Sequence, residues 1–199
     1  SIAVIGKWPW KRHVHARFLD SIERFSPRTV LFDVLFVKPE TLPPFVSQKL
    51  TAHPRSRRLA EAAFRDMDGA CAACLEKYDN VYLDLRLMEE PRLNLPEFFQ
   101  KRILFNEKIL RNHSQPVKDN QSPVVFHALD PTLNAFARHS HPAVVNVLPD
   151  DDGIIRSFPL YYTYRLKDGT YRNVFTIVLA LLQRYYRIPM DDVVLKKGA

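Results

Sequence analysis

Apolar residues recur along this chain with two different periods, and the alternation between them sets the expected architecture. In residues 11–25, Val14, Phe18, Leu19, Ile22 and Phe25 fall on one helical face, and Ser26-Pro27 closes the helix. Residues 29–36 follow as a run of β-branched and aromatic side chains broken only by Asp33. That is the pattern of a strand buried on both faces, and therefore paired in parallel. A proline-punctuated loop over 39–54 leads to a second helix at 57–78, with Leu59, Ala63, Met67, Ala70 and Cys74 along one stripe. A strand is expected at 81–87. Residues 89–121 are mixed and polar, with one short helix at 96–110.

Further strands are expected at 124–129 and 143–148, with Asp130 capping a short helix through Ala137 between them. Asp150-Asp151-Asp152-Gly153 reads as a turn, 155–166 as an extended segment, and Lys167-Asp168-Gly169 as a hairpin turn. An apolar helix at 174–187 and a terminal strand at 193–196 complete the pattern. Helices alternating with buried strands and ending in a hairpin define an α/β class. The expected architecture is one domain over residues 1–199, with a mixed, partly parallel central sheet flanked by helices and a long loop-rich stretch at 39–121.

Composition narrows this picture. The chain has 199 residues, 46% hydrophobic and 26% charged, enough to bury a core without disulfide or metal staples. The longest apolar run, 176–182, is far too short to span a bilayer, and no signal-peptide pattern opens the chain, so these residues are not expected to insert in a membrane. With Gly 5 against Pro 15, neither a Walker A loop nor a dinucleotide fingerprint occurs, which excludes the common nucleotide chemistries.

Lys+Arg 29 against Asp+Glu 22 gives a net charge of +7, which favours anionic partners. One basic cluster joins Lys7, Lys11, Arg12, His13, His15 and Arg17 beside Trp8 and Trp10; another joins Arg55, Arg57 and Arg58. A basic nucleic-acid-binding module is the alternative this charge raises. No helix-turn-helix, zinc-finger or RNA-binding sheet motif accompanies it, and a solvated surface with Arg stems over apolar area accounts for the clusters.

The candidate chemistry is sparse. A carboxylate inside an apolar strand must be hydrogen-bonded, paired or at the strand's exposed end, so Asp33 is a candidate, with Arg12 its natural salt partner. The acidic turn at 150–153 resembles the start of a calcium loop, but Tyr161 stands where the distal glutamate belongs. Cys71-Ala72-Ala73-Cys74 lies within a helical stripe, without a second Cys/His pair at ligand spacing, and reads as buried packing. His13 and His15 diverge on a helix; His139 and His141 share a face only on a strand. No Gly-x-Ser-x-Gly elbow marks a nucleophile, which leaves a hydrolase as an alternative without a motif. No catalytic residue, metal site or cofactor is assigned.

Two segments carry a recognisable pattern. The first is Gly6-Lys7-Trp8-Pro9-Trp10-Lys11-Arg12, then His15-Ala16, then Phe32-Asp33-Val34-Leu35-Phe36. The second is Val145-Asn146-Val147, then Pro149-Asp150-Asp151-Asp152-Gly153-Ile154-Ile155-Arg156, then Pro159-Leu160. Together they resemble the CHASE domain of the second type, a sensory extracellular domain associated with cyclases and histidine kinases; residues 175–182 add a weaker third match. Lys11 stands where that family often has proline.

The resemblance implies an extracytoplasmic input domain of a bacterial transmembrane receptor, a soluble piece whose membrane helices lie outside these residues. The domain itself is then no enzyme, and its cytoplasmic output is a nucleotide cyclase or a kinase. The implied partner is an unidentified small molecule or environmental signal, with the domain facing the periplasm or cell exterior at the inner membrane. A homodimer is among the assemblies it allows, and attraction to anionic headgroups becomes a better account of the charge than nucleic acid. Trp8, Trp10, Arg12, Asp33, Asn146, Asp152 and Arg156 are the expected ligand-sensing or structural network, and Trp8, Pro9 and Trp10 are expected to bury large apolar area.

Overall fold

The computed structural model describes residues 8–117 and 124–195, the side chain of Arg65 excepted. Gly6 and Lys7 of the first signature, and Lys196 of the expected terminal strand, lie outside the described residues. The α/β class with mixed pairing is what the chain adopts. Its residues group into two compact units, Ser1–Pro27 with Lys38–Asp79 and Arg28–Val37 with Asn80–Ala199, and each is described by itself.

The first unit is helical. Helix α1 (Arg12–Ile22) continues as a 3-10 turn through Phe25, where Ser26 takes a left-handed φ of 50°, so the helix stops where Ser26-Pro27 predicts. Inside the expected proline-rich loop, Pro44 starts a short helix, α2 (Pro44–Lys49). Pro54 likewise opens α3 (Pro54–Leu75), three residues before the periodicity shows itself. Proline suits a first helical turn because its missing N–H has no intrahelical partner there. Helix α1 buries His15 and Leu19, and α3 buries Cys71, Cys74 and Leu75. The two cysteines are free, and burial pushes the Cys71 thiol up to about 12 and the Cys74 thiol up to about 11. Both side chains are buried in the packing of this unit, and burial disfavours the thiolate form that reactive cysteines present.

The second unit holds the sheets. Strand β1 (Val30–Phe32) pairs in parallel with β2 (Val81–Met88), in the register Val30↔Val81 to Phe32↔Leu83. The strand expected over 29–36 ends early, at Phe32, just before Asp33, and Phe36 returns to the core against Phe136 with rings 5.4 Å apart. Helix α4 (Glu97–Asn112) follows Pro96, and β3 (Ser114–Pro116) is too polar for periodicity to reveal.

The strand expected over 124–129 is two short ones, β4 (Val125–Phe126) and β5 (Ala128–Asp130). They belong to different sheets: β5 pairs antiparallel with the far end of β2, whereas β4 pairs in parallel with the strand at Tyr161–Arg165. One apolar run thus feeds two ladders, a switch that hydrophobicity alone cannot signal. Asp130 is not a cap, since it lies in β5 and accepts from Arg86 Nε at 2.8 Å and pairs with Arg92 at 2.6 Å. The helix it was expected to open, α5 (Asn134–Ala137), has no side-chain cap.

Strand β6 (His141–Val144) pairs in parallel with β2 and starts two residues earlier than expected. Strands β7 (Tyr161–Arg165) and β8 (Tyr171–Phe175) form the hairpin that Asp168-Gly169 predicts, with Gly169 at φ 87°, a conformation that glycine adopts without Cβ strain. Val174 and Phe175, expected in the last helix, finish β8. Thr176 then begins α6 (Ile177–Tyr186), and residues 193–195 form no strand.

The larger core joins Leu85, Leu87, Ile103, Leu110, Phe126, Leu129 and Tyr164, drawing on both sheets and α4. Each such side chain contributes roughly 1.5–3 kcal/mol by leaving water. Glu107 is buried in the same region and accepts from Tyr164 Oη at 2.7 Å; burial raises its pKa.

Candidate functional site

The seven expected site residues are distributed between the two units. In the first, Trp10 is half-buried and stacks obliquely on the buried His15, but Trp8 keeps 57% of its surface exposed and Pro9 is exposed as well. The expected large burial therefore holds for Trp10 and not for its neighbours. Arg12 donates from Nε to Asp68 Oδ1 at 3.1 Å and from Nη2 to the Lys38 carbonyl at 2.8 Å; its backbone N–H donates to Glu40 Oε2 at 2.9 Å. The Glu40 N–H in turn donates to Asp68 Oδ2 at 2.8 Å. This closed set of charge-assisted bonds ties residues 38–40 to α3. Asp33 lies in the other unit.

In the second unit, the parallel register that ends at Phe32↔Leu83 brings Asp33 beside Asp84. Asp84 is 2% exposed, and its Oδ1 is buried without a hydrogen-bond partner among the described residues. Burial first, and the neighbouring Asp33 carboxylate second, push its pKa up to about 8. Desolvation therefore holds Asp84 in its protonated form at neutral pH. Asp33 itself is exposed, at the strand end, one of the three environments a carboxylate there requires. Asp84 is a lone acid in an apolar strand, so the rule that singled out Asp33 would have found it too.

Asn146 does structural work nearby. Its carboxamide accepts from the Leu87 N–H at 2.7 Å and donates to the Leu87 carbonyl at 2.8 Å. After β6 ends, this one side chain reproduces the pairing a further strand residue would give β2, and so satisfies backbone groups that would otherwise be orphaned. Asn106 does the same for Thr132, at 2.9 and 3.1 Å.

The second signature's acidic turn closes with Gly153 at φ 80°. Arg156 donates to Asp150 and Asp152, both at 2.9 Å from Nη1, which fills with a guanidinium the space between carboxylates that a calcium reading would give to metal. That contact also holds the Asp152 carboxyl below its usual range. Asn146, the Asp33–Asp84 pair and the Asp152–Arg156 turn each have their own partners.

A further feature of this unit escaped sequence reasoning. A cleft of about 550 Å³ is lined by Arg28, Tyr82, His113, His141, Gln183, Arg184, Arg187 and the segment Ile188, Pro189 and Met190. It lies at the N-terminal ends of β1, β2 and β6. The His141 ring packs on Tyr82 with centroids 4.9 Å apart, and His113 Nε2 is 2.9 Å from His141 Nδ1. His113 Nδ1 lies 3.0 Å from the Ile109 carbonyl, which only accepts, so Nδ1 carries a hydrogen. The imidazole pair then holds one positive charge at most, because a second proton would place two donors face to face. Its lining residues come from separate stretches of the chain, so no motif spacing reports it; only His141 had been singled out, through its spacing to His139.

A family model for the CHASE2 domain matches residues 1–196. The chain belongs to that family, one of sensory extracellular rather than catalytic domains, as the two signatures imply. No curated protein and no solved structure matches the chain. Among the described residues no helix is long and apolar enough to cross a membrane.

Proposed function

We propose that this chain is the extracytoplasmic signal-input domain of a bacterial receptor, held at the inner membrane by segments outside these residues and regulating a cytoplasmic cyclase or kinase. The observation that carries this reading is the family match over residues 1–196. The geometry supplies a means. The cleft draws on the approach to β1, on β2 and β6, and on the ends of α4 and α6, so one ligand there contacts five elements of the unit. Differential affinity for two packings of those elements is what converts binding into signal.

The test is made in the full-length protein. A periplasmic reporter fused to this chain is active, and Arg28→Gln or Arg187→Asn in the cleft changes output per folded receptor by about fivefold or more, the low end of ordinary coupling energies. A chain that faces the cytoplasm overturns the reading. So does output that is unchanged once receptor level is normalised.

A further inference from the structure

We propose that the cleft at the N-terminal ends of β1, β2 and β6 is a binding site for a small, multiply charged oxyanion. Three guanidinium groups, Arg28, Arg184 and Arg187, line it together with the His113–His141 pair, and none of its lining residues is acidic. Asp191 and Asp192 follow on the next 3-10 turn, exposed and outside the lining.

A structural account of these cations exists and is insufficient. They gather at the C-terminal end of α6, and Arg28 donates to the Tyr185 carbonyl there at 3.2 Å. The partial charge at a helix C-terminus amounts to about half an electron, however, which the charges of Arg28 and Arg187 by themselves exceed several-fold. Concave walls concentrate the surplus field and raise the local concentration of anions. Guanidinium forks match the paired oxygens of phosphate and carboxylate groups. The ring wall of Tyr82 and His141 and the Gln183 amide add apolar contact and a neutral donor.

Volume fixes the size class. About 550 Å³ lies within the roughly 300–1,000 Å³ of small-molecule sites, and admits more than a bare monoatomic ion. The ligand class is therefore a di- or trianion built from phosphoryl or carboxylate groups. As the stimulus of a receptor, this ligand rests on the sensor reading above; as a binding site it does not, and the two fail separately.

Pyrophosphate and citrate, titrated calorimetrically into the 199-residue chain, are the probes. Saturable binding of at least one is expected, weakening as salt is raised. Tighter binding of pyrophosphate identifies a phosphoryl ligand, and tighter binding of citrate a carboxylate. The double variant Arg28→Gln/Arg187→Asn should weaken binding by about tenfold or more, since charge-assisted contacts are removed. Both positions are exposed, and Asn tolerates the left-handed φ of 57° at position 187. Arg55→Gln/Arg58→Gln removes the same charge from exposed positions of α3 outside the lining and should leave affinity within about twofold, because exposed charges that do not touch the ligand are screened. If near-UV circular dichroism shows the first double variant misfolded, Arg28→Gln alone carries the comparison. No saturable binding of either probe below about 10 mM, or equal weakening by the two double variants, overturns the proposal.

Discussion

The parallel ladder of β1, β2 and β6 has opposite chemistry at its two ends. Beyond the C-terminal end of β1, Asp33 meets a buried Asp84 that keeps its proton up to about pH 8. At the N-terminal ends, three arginines line an open cleft around a histidine pair limited to one positive charge. The difference is one of solvation. A carboxyl taken out of water beside another acid avoids charge by holding a proton, whereas Arg28 and Arg187 are exposed and present their guanidinium groups to the cleft. Of the family's signature residues, Arg12 anchors structure and Asp33 flanks the protonated Asp84, while the cleft is made of residues outside the main signatures.

The largest effect expected from breaking this contrast is at Asp84. Its folded pKa lies above that of an unfolded aspartate, so the native state holds a proton that the unfolded chain releases between about pH 4 and 8. Stability contributed by the protonated form is therefore lost as pH rises through that window. Asp84→Asn should match the wild type near pH 4 and gain by up to about 1.4 kcal/mol per pH unit until pH 8, measured by urea denaturation across pH. Identical pH profiles for the two proteins would remove the account of a buried, protonated Asp84. In Asp33→Asn, carboxyl carbon NMR should show the Asp84 midpoint moving down yet staying above the ordinary value, because burial is the leading cause and Asp33 the second.

Asn146→Ala tests the ladder that joins the two ends. It strips both Leu87 backbone groups of their partner and should cost about 1–3 kcal/mol in the denaturation midpoint. A loss well below that range would mean solvent satisfies the exposed edge. His113→Ala removes the imidazole contact and should cost about 1 kcal/mol. The smallest effect belongs to Arg28→Gln/Arg187→Asn, expected within about 0.5 kcal/mol of wild-type stability, as for other exposed positions. A large destabilisation there would make the cleft cations structural and erase the contrast.

Much of the fold was legible because its signals are local. Val14, Leu19 and Ile22 repeat at helical spacing, Ser26-Pro27 stops α1, and Asp168-Gly169 makes its hairpin. Pro44 and Pro54 were read as loop punctuation because a proline that opens a helix looks the same in sequence as one that interrupts it. The run 124–129 misled because hydrophobicity reports burial, and both β4 and β5 are buried against the core, though in different sheets.

The class, the helices and hairpin, the acidic turn and the family can all be read along the chain, since each depends on residues near one another or on a fixed signature. The tertiary structure decided which groups share an environment. Asp33 acquires its partner through a strand register, Asn146 acts as a substitute for backbone only because β6 ends beside Leu85, two residues short of Leu87, and the cleft is assembled from the approach to β1 and from β2, β6, α4 and α6. Charge and hydrogen bonding depend on distance and burial, and neither is a property of position along the chain.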